Sequence, residues 1–167
     1  VCDENVSLSA GGTEKRYESH GVVDTANPPK QVIEEMLSAM AGTLTYSGGK
    51  FYVKAGAYSS PSDTLTEDDL RAGISIVTKP SRRDNFNAVK GVFLPDEAGN
   101  FQPTDYAPVT SSTFEAEDGS ERVFSELDLT FTQSSSMAQR IAKIALFKSR
   151  QQLVITMPCK LTAFKHN

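Results

Sequence analysis

Apolar positions along this chain change period several times, and each change marks an element. Val32, Ile33, Met36, Leu37 and Met40 fall at i, i+1, i+4, i+5 and i+8, one stripe of an amphipathic helix, with Glu34, Glu35 and Ser38 opposite. The preceding Asp24 to Asn27, Pro28 and Pro29 form a start signal, because Asn caps well and proline suits the first turn; Gly42 is the expected stop. Thr43 to Tyr46 and Lys50 to Ala57 then flank Ser47, Gly48 and Gly49, which predicts a tight β-hairpin. In its second arm Phe51 and Val53 alternate with Lys50, Tyr52 and Lys54, predicting one packed and one solvated face.

Elsewhere the period is mostly two. Val1 to Gly12 reads as strand-like sequence entered midway, and Lys15 to Val23 as a strand. Thr66 and Asp69 have the form of a capping box, predicting a short helical connector that Gly73 closes. Ile74 to Thr78 and Phe86 to Leu94 read as strands, the latter followed by a turn at Pro95 to Asn100. Two prolines and many hydroxyls make Gln102 to Thr113 a surface loop. Arg122 to Phe131 is a strand with an irregularity at Phe124 and Ser125, consistent with a bulge. Ser134 to Ser136 opens a second long helix, where Ser136 and Gln139 form a capping box. Its sides are Met137, Ile141, Ile144, Ala145 and Lys148 against Arg140, Lys143, Phe147 and Arg150. Leu153 to Met157 and Lys160 to Phe164 close as strand, interrupted by Pro158. The order predicts an α+β fold of mostly antiparallel strands with two longer helices and a β-hairpin. At 167 residues this is one domain, or two small units at about 24–72 and about 1–23 with 73–167.

Charge is sorted along the chain. The net charge is −4, but the last acid is Asp128, after which come six bases and no acids: Arg140, Lys143, Lys148, Arg150, Lys160 and Lys165. A basic segment can neutralise phosphates, yet the chain as a whole is acidic and carries no nucleic-acid module, so no nucleic-acid partner is expected. Charge sorting instead points to contact between protein surfaces, within one fold or between copies. No apolar run approaches the roughly 20 residues of a membrane span.

Candidate chemistry is sparse. Cys2, His20, Cys159 and His166 lack the close spacing of a zinc site, and the two cysteines read as reduced thiols. Asp63, Glu67, Asp68 and Asp69 lack the alternation and glycine hinge of a calcium loop and read as first-turn acids favoured by the helix dipole. Only His20 and His166 offer an imidazole base, and no serine sits in a Gly-x-Ser-x-Gly elbow. Gly48 and Gly49 are not followed by the Lys-Ser/Thr of a phosphate loop. A non-enzyme without cofactor is the expectation.

Three long strings carry a resemblance: IEEMLSAMAGTLTYSGGKFYVKAGAY, TLTEDDLRAGISIVTKPSRRDNFNAVKGVF and AQRIAKIALFKSRQQLVITMPCKL. Together they resemble the central region of the tail-tip attachment, or host-specificity, protein J of long-tailed phages and prophages. The resemblance implies a baseplate-hub-like internal segment of a longer chain, made in the bacterial cytoplasm and located at the virion tail tip. It further implies assembly as a homotrimer with other tail proteins, and contact with the host receptor through other parts of the chain. The opening Val1 in place of Met fits such an internal segment.

Interface candidates follow from charge. Arg82, Arg83 and Asp84 lie in a polar turn between strands, where the arginines can dock against acids of a neighbouring subunit. Arg140, Lys143 and Arg150 lie in the basic segment, which can face Glu115, Glu117, Asp118 and Glu121 of another copy. A receptor-binding module is the alternative, with Phe101, Tyr106 and Phe114 as its exposed loop aromatics. A tail-associated cell-wall hydrolase is a third reading, which a negative peptidoglycan zymogram of the purified domain would remove.

Overall fold

The computed structural model describes residues 1–61, 63–78, 85–96, 102–151 and 153–166, with side chains as far as 163 in the last stretch. Arg82, Arg83, Asp84 and Phe101 lie outside the described residues. The fold is α+β, as the pattern of periods predicts.

The chain opens with a hairpin, β1 (Asn5–Ser7) against β2 (Thr13–Lys15), in place of the expected strand over Lys15 to Val23. Strand character ends at Lys15 because the following residues find other partners: Tyr17 enters the core and the His20 N–H donates to the Phe131 carbonyl. Helix α1 (Pro29–Ser38) starts with proline in its first turn, as expected, and stops just short of Gly42. Next, β3 (Thr43–Ser47) and β4 (Lys50–Lys54) form the predicted hairpin, turning on Gly48 and Gly49 at φ 57° and 80°, values that glycine adopts without a Cβ clash. The expected packed face is absent: Phe51 and Val53 are 70% and 57% exposed, and every β4 residue is open to solvent.

The Thr66–Asp69 box forms, with the Asp69 carboxylate accepting from the Thr66 N–H, but it closes only a 3-10 turn at Glu67–Asp69. β5 (Ser75–Val77) follows. The expected strand over Phe86 to Leu94 divides at Gly91 into β6 (Ala88–Lys90) and β7 (Val92–Phe93). The predicted loop from Gln102 to Thr113 instead holds β8 (Thr104–Asp105), β9 (Val109–Thr110) and the start of α2 (Ser112–Glu117), capped by the Ser111 hydroxyl. β10 (Phe124–Glu126) leads to α3 (Ser135–Ser149), capped by Ser134 rather than Ser136. After β11 (Val154–Thr156), residues Leu161–His166 turn as a 3-10 helix and not as the expected strand.

The central sheet has the order β10-β6-β9, with β10 parallel and β9 antiparallel to β6. β7 pairs with β8, and β5 with β11, both antiparallel. Against the central sheet α3 lays Met137, Ala138, Ile141, Ala142 and Leu146, all buried. These join Tyr17, Val89, Phe93, Tyr106 and Leu129 in one core. Ala138 and Ala142 are fully buried, small side chains that let the helix approach the sheet closely, and Leu146 is buried beside them.

Backbones cross tightly where β6 gives way to β7. The Leu127 N–H donates to the Lys90 carbonyl at 2.8 Å, and the Tyr106 hydroxyl donates to the Leu127 carbonyl at 3.0 Å. Burial, reinforced by the nearby Asp128 carboxylate, pushes the Tyr106 phenol up to about 12, so it remains a donor throughout the physiological range. A Cβ at position 91 would stand 2.1 Å from the Leu127 oxygen, which no rotamer change relieves. Gly91→Ala is therefore expected to cost about 3 kcal/mol through forced backbone displacement, read as a lowered urea midpoint with unchanged slope.

Candidate functional site

Two kinds of feature stand out: polar clamps that fix α3, and strands whose apolar side chains are exposed. The first clamp lies at the N-terminal end of α3. Glu14 on β2 accepts from the hydroxyls of Ser134 and Ser136, both at 2.7 Å, and pairs with the Arg140 guanidinium, which also donates to the Arg16 carbonyl at 2.7 Å. Burial pushes the Glu14 carboxyl up, but the Ser134, Ser136 and Arg140 donors together outweigh it and hold the group below its ordinary value.

The second clamp lies at the other end. Arg150 forks onto Asp118 at 3.1 and 2.6 Å, donates to the Phe114 carbonyl at 2.9 Å, and stacks its guanidinium 4.6 Å from the centre of the Phe114 ring. Asn87, fully buried beside β6, donates to Asp118 at 2.9 Å and to the Glu121 carbonyl at 2.7 Å while accepting from the Val123 N–H at 2.8 Å. One carboxylate thus ties helix, central sheet and the segment after α2 together.

These clamps settle where the sequence-predicted interface residues stand. Arg140 and Arg150 are engaged within their own chain, by Glu14 and Asp118. Glu115 takes Arg122 at 2.8 Å. The acids and bases that the sequence sets apart do meet, but here in one fold rather than across copies. Of the three α3 candidates, Lys143 alone stays exposed. The loop aromatics fare similarly: Tyr106 is 2% exposed, and Phe114 packs edge-on against Phe147 with centroids 5.5 Å apart.

What remains open is apolar β-ribbon. In β5 and β11 the cross-strand pairs are Val77 with Val154, Ile76 with Ile155 and Ser75 with Thr156. All six residues are exposed, and because side chains alternate, Val77 with Val154 occupies one face and Ile76 with Ile155 the other. Ile74, Leu153 and Met157 extend the patch. The β3–β4 hairpin is the second such ribbon, with Tyr46 and Phe51 paired at its tip, ring centroids 4.8 Å apart. Neither signal is visible as a motif, because short β-rich runs look the same whether the fold covers them or not.

His20 stands on the surface 3.7 Å from Glu18, beside a groove of about 780 Å³ that also holds Ser19, Glu35 and Phe131. Among the described residues no three His, Cys, Asp or Glu side chains gather as a metal site. Cys2 and Cys159 are free thiols, as the sequence reading has them. No helix among the described residues is long and apolar enough to cross a membrane. The chain matches no protein-family model and none of the curated proteins with which it was compared.

Both clamps can be tested. Asp118→Ala leaves the Arg150 guanidinium and the Asn87 amide short of an acceptor; because the carboxylate is 22% exposed, the cost is discounted to about 2 kcal/mol, measured by urea unfolding. For Glu14, a lowered folded-state value means that its contribution is complete above the ordinary value of 4.5 and is lost as pH falls through the folded one. Thermal melting in the acid range should therefore steepen with falling pH in the native protein and flatten in Glu14→Gln.

Proposed function

We propose that this chain is an assembly domain of a tail-tip hub protein of a long-tailed phage or prophage. In this reading it has no catalytic role, associates with copies of itself as a homotrimer, and meets other tail proteins at the virion tail tip. The observation that carries the assembly role is the β5–β11 ribbon, apolar on both faces and, among the described residues, paired with no further strand at either edge. A two-stranded ribbon is marginal in water by itself, and strands apolar on both faces are what the middle of a covered sheet requires. Neighbouring chains supply the missing cover by adding strands and packing side chains on it. The resemblance of the three long sequence strings supplies the tail-tip context.

One observation favours a second reading, a receptor-binding module. Tyr46 and Phe51 project from the hairpin tip at 63% and 70% exposure, a small aromatic patch of the kind that anchors protein contacts. The two readings separate by location, since the hairpin would bind host cells and the β5–β11 ribbon would bind other chains.

Light scattering on a sizing column tests the leading reading. The native chain is expected to elute as an oligomer whose mass falls to that of one chain in Ile76→Lys with Ile155→Lys, while Tyr46→Ala with Phe51→Ala leaves it unchanged. A native protein monomeric at every concentration removes self-association through this segment. Loss of labelled-domain binding to host cells in the hairpin variant alone would shift the assignment to adhesion.

A further inference from the structure

A third surface differs in chemistry from both ribbons. Between the C-terminal half of α3 and the residues that leave β4 runs a groove of about 600 Å³, within the roughly 300–1,000 Å³ range of ligand sites. Lys54 and Tyr58 line it from the β4 side and Lys143, Phe147 and Lys148 from α3, the Lys143 Nζ lying 6.0 Å from the centre of the Phe147 ring, and no acid among the described residues lines it. Tyr58 is 90% exposed and Phe147 50%. The β4-side wall is fixed from behind, where the Tyr17 hydroxyl donates to the Gly56 carbonyl at 2.6 Å and the Gly56 N–H donates to the Met40 carbonyl at 2.8 Å.

The cations at this groove divide into two sets. Arg16 is paired with Glu4 through its Nε, and Arg140 with Glu14 and the Arg16 carbonyl, so each guanidinium already holds a carboxylate of its own chain. Lys54, Lys143 and Lys148 are exposed and form no ion pair among the described residues. The groove therefore presents three point charges of one sign beside two rings, on a chain whose net charge is −4.

We propose that this groove binds a short acidic segment of a partner protein, with carboxylates on the lysines and an apolar side chain between Tyr58 and Phe147. Charge complementarity sets the sign of the ligand. The distribution of charge sets its length: a nucleic acid carries phosphates well beyond a groove of this size, onto a chain whose net charge is −4. Phosphate recognition also favours arginine forks, and both guanidiniums here already hold a carboxylate. A peptide confined to the groove meets only the lysines. The inference does not depend on the ribbons and holds whether or not they join copies of this chain.

Fluorescence anisotropy on the full chain tests it, with a fluorescein-labelled peptide alternating glutamate and leucine as the probe. Saturable binding at low ionic strength is expected, weakened at least tenfold by Lys143→Glu with Lys148→Glu and several-fold by Lys54→Glu. Lys30→Glu, on α1, should leave it unchanged. Salt at about 0.5 M, where screening shrinks to a few ångströms, should weaken it likewise. Should charge reversal disturb the far-ultraviolet circular dichroism, Lys143→Gln with Lys148→Gln replaces it, with the same direction of effect. Absence of binding, binding unaffected by these variants, or tighter binding of a single-stranded oligonucleotide of equal charge would each overturn the proposal.

Discussion

Everything in this fold hangs on the seating of α3. The sheets are two or three strands wide, and sheets that small do not persist in water without a covering layer. The helix provides it for the central sheet, contributing Met137, Ala138, Ile141, Ala142 and Leu146 to the core. A helix can slide or rotate on an apolar bed, since burial is indifferent to direction. Glu14 at one end and Asp118 at the other remove that freedom, because Glu14, fixed on β2, must meet donors from Ser134, Ser136 and Arg140, and Asp118 must meet Arg150 and Asn87 at once.

A division of the molecule follows. One side is a fixed core held by the Glu14 and Asp118 clamps and by buried Asn87, whose side chain makes three protein hydrogen bonds. The other side consists of ribbons whose backbones pair within themselves but whose side chains are left in solvent. Stability resides in the first, so the ribbon surface can be altered by substitution without disturbing the clamps that hold α3.

Much of this was legible where local chemistry decides structure. Pro29 in the first turn, the glycine pair at 48 and 49, and the stripe from Val32 to Met40 specify α1 and the hairpin without reference to the rest of the chain. Local chemistry also misled. Pro103, Pro108 and the hydroxyls around them conceal α2, although Ser111 as cap and Glu115 in the first turn are a proper helix start. The exposure of Phe51 and Val53 was not legible, because alternation indicates which residues share a face and not whether anything lies over it. At the site, the sorting of acids before Asp128 and bases after it announced that the two would meet. That Asp118 takes Arg150 of its own chain depends on a return of the backbone over 32 positions, which no window of sequence contains.

The parallel pairing of β6 with β10 has a kinetic meaning. Hairpins such as β1–β2 and β3–β4 close over short loops and form within microseconds. The central sheet cannot, since the Asn87 to Val123 bond spans 36 positions, and the Glu14 to Arg140 clamp spans 126. Long loops close late and slowly, so the β3–β4 hairpin is expected to exist before the core, whereas the β5–β11 ribbon, which joins Val77 to Val154, waits for distant parts of the chain to meet. A nascent chain then displays the exposed apolar side chains of β3–β4 ahead of its folded body, and crowding between neighbouring copies during synthesis becomes the step at which misassembly competes with folding.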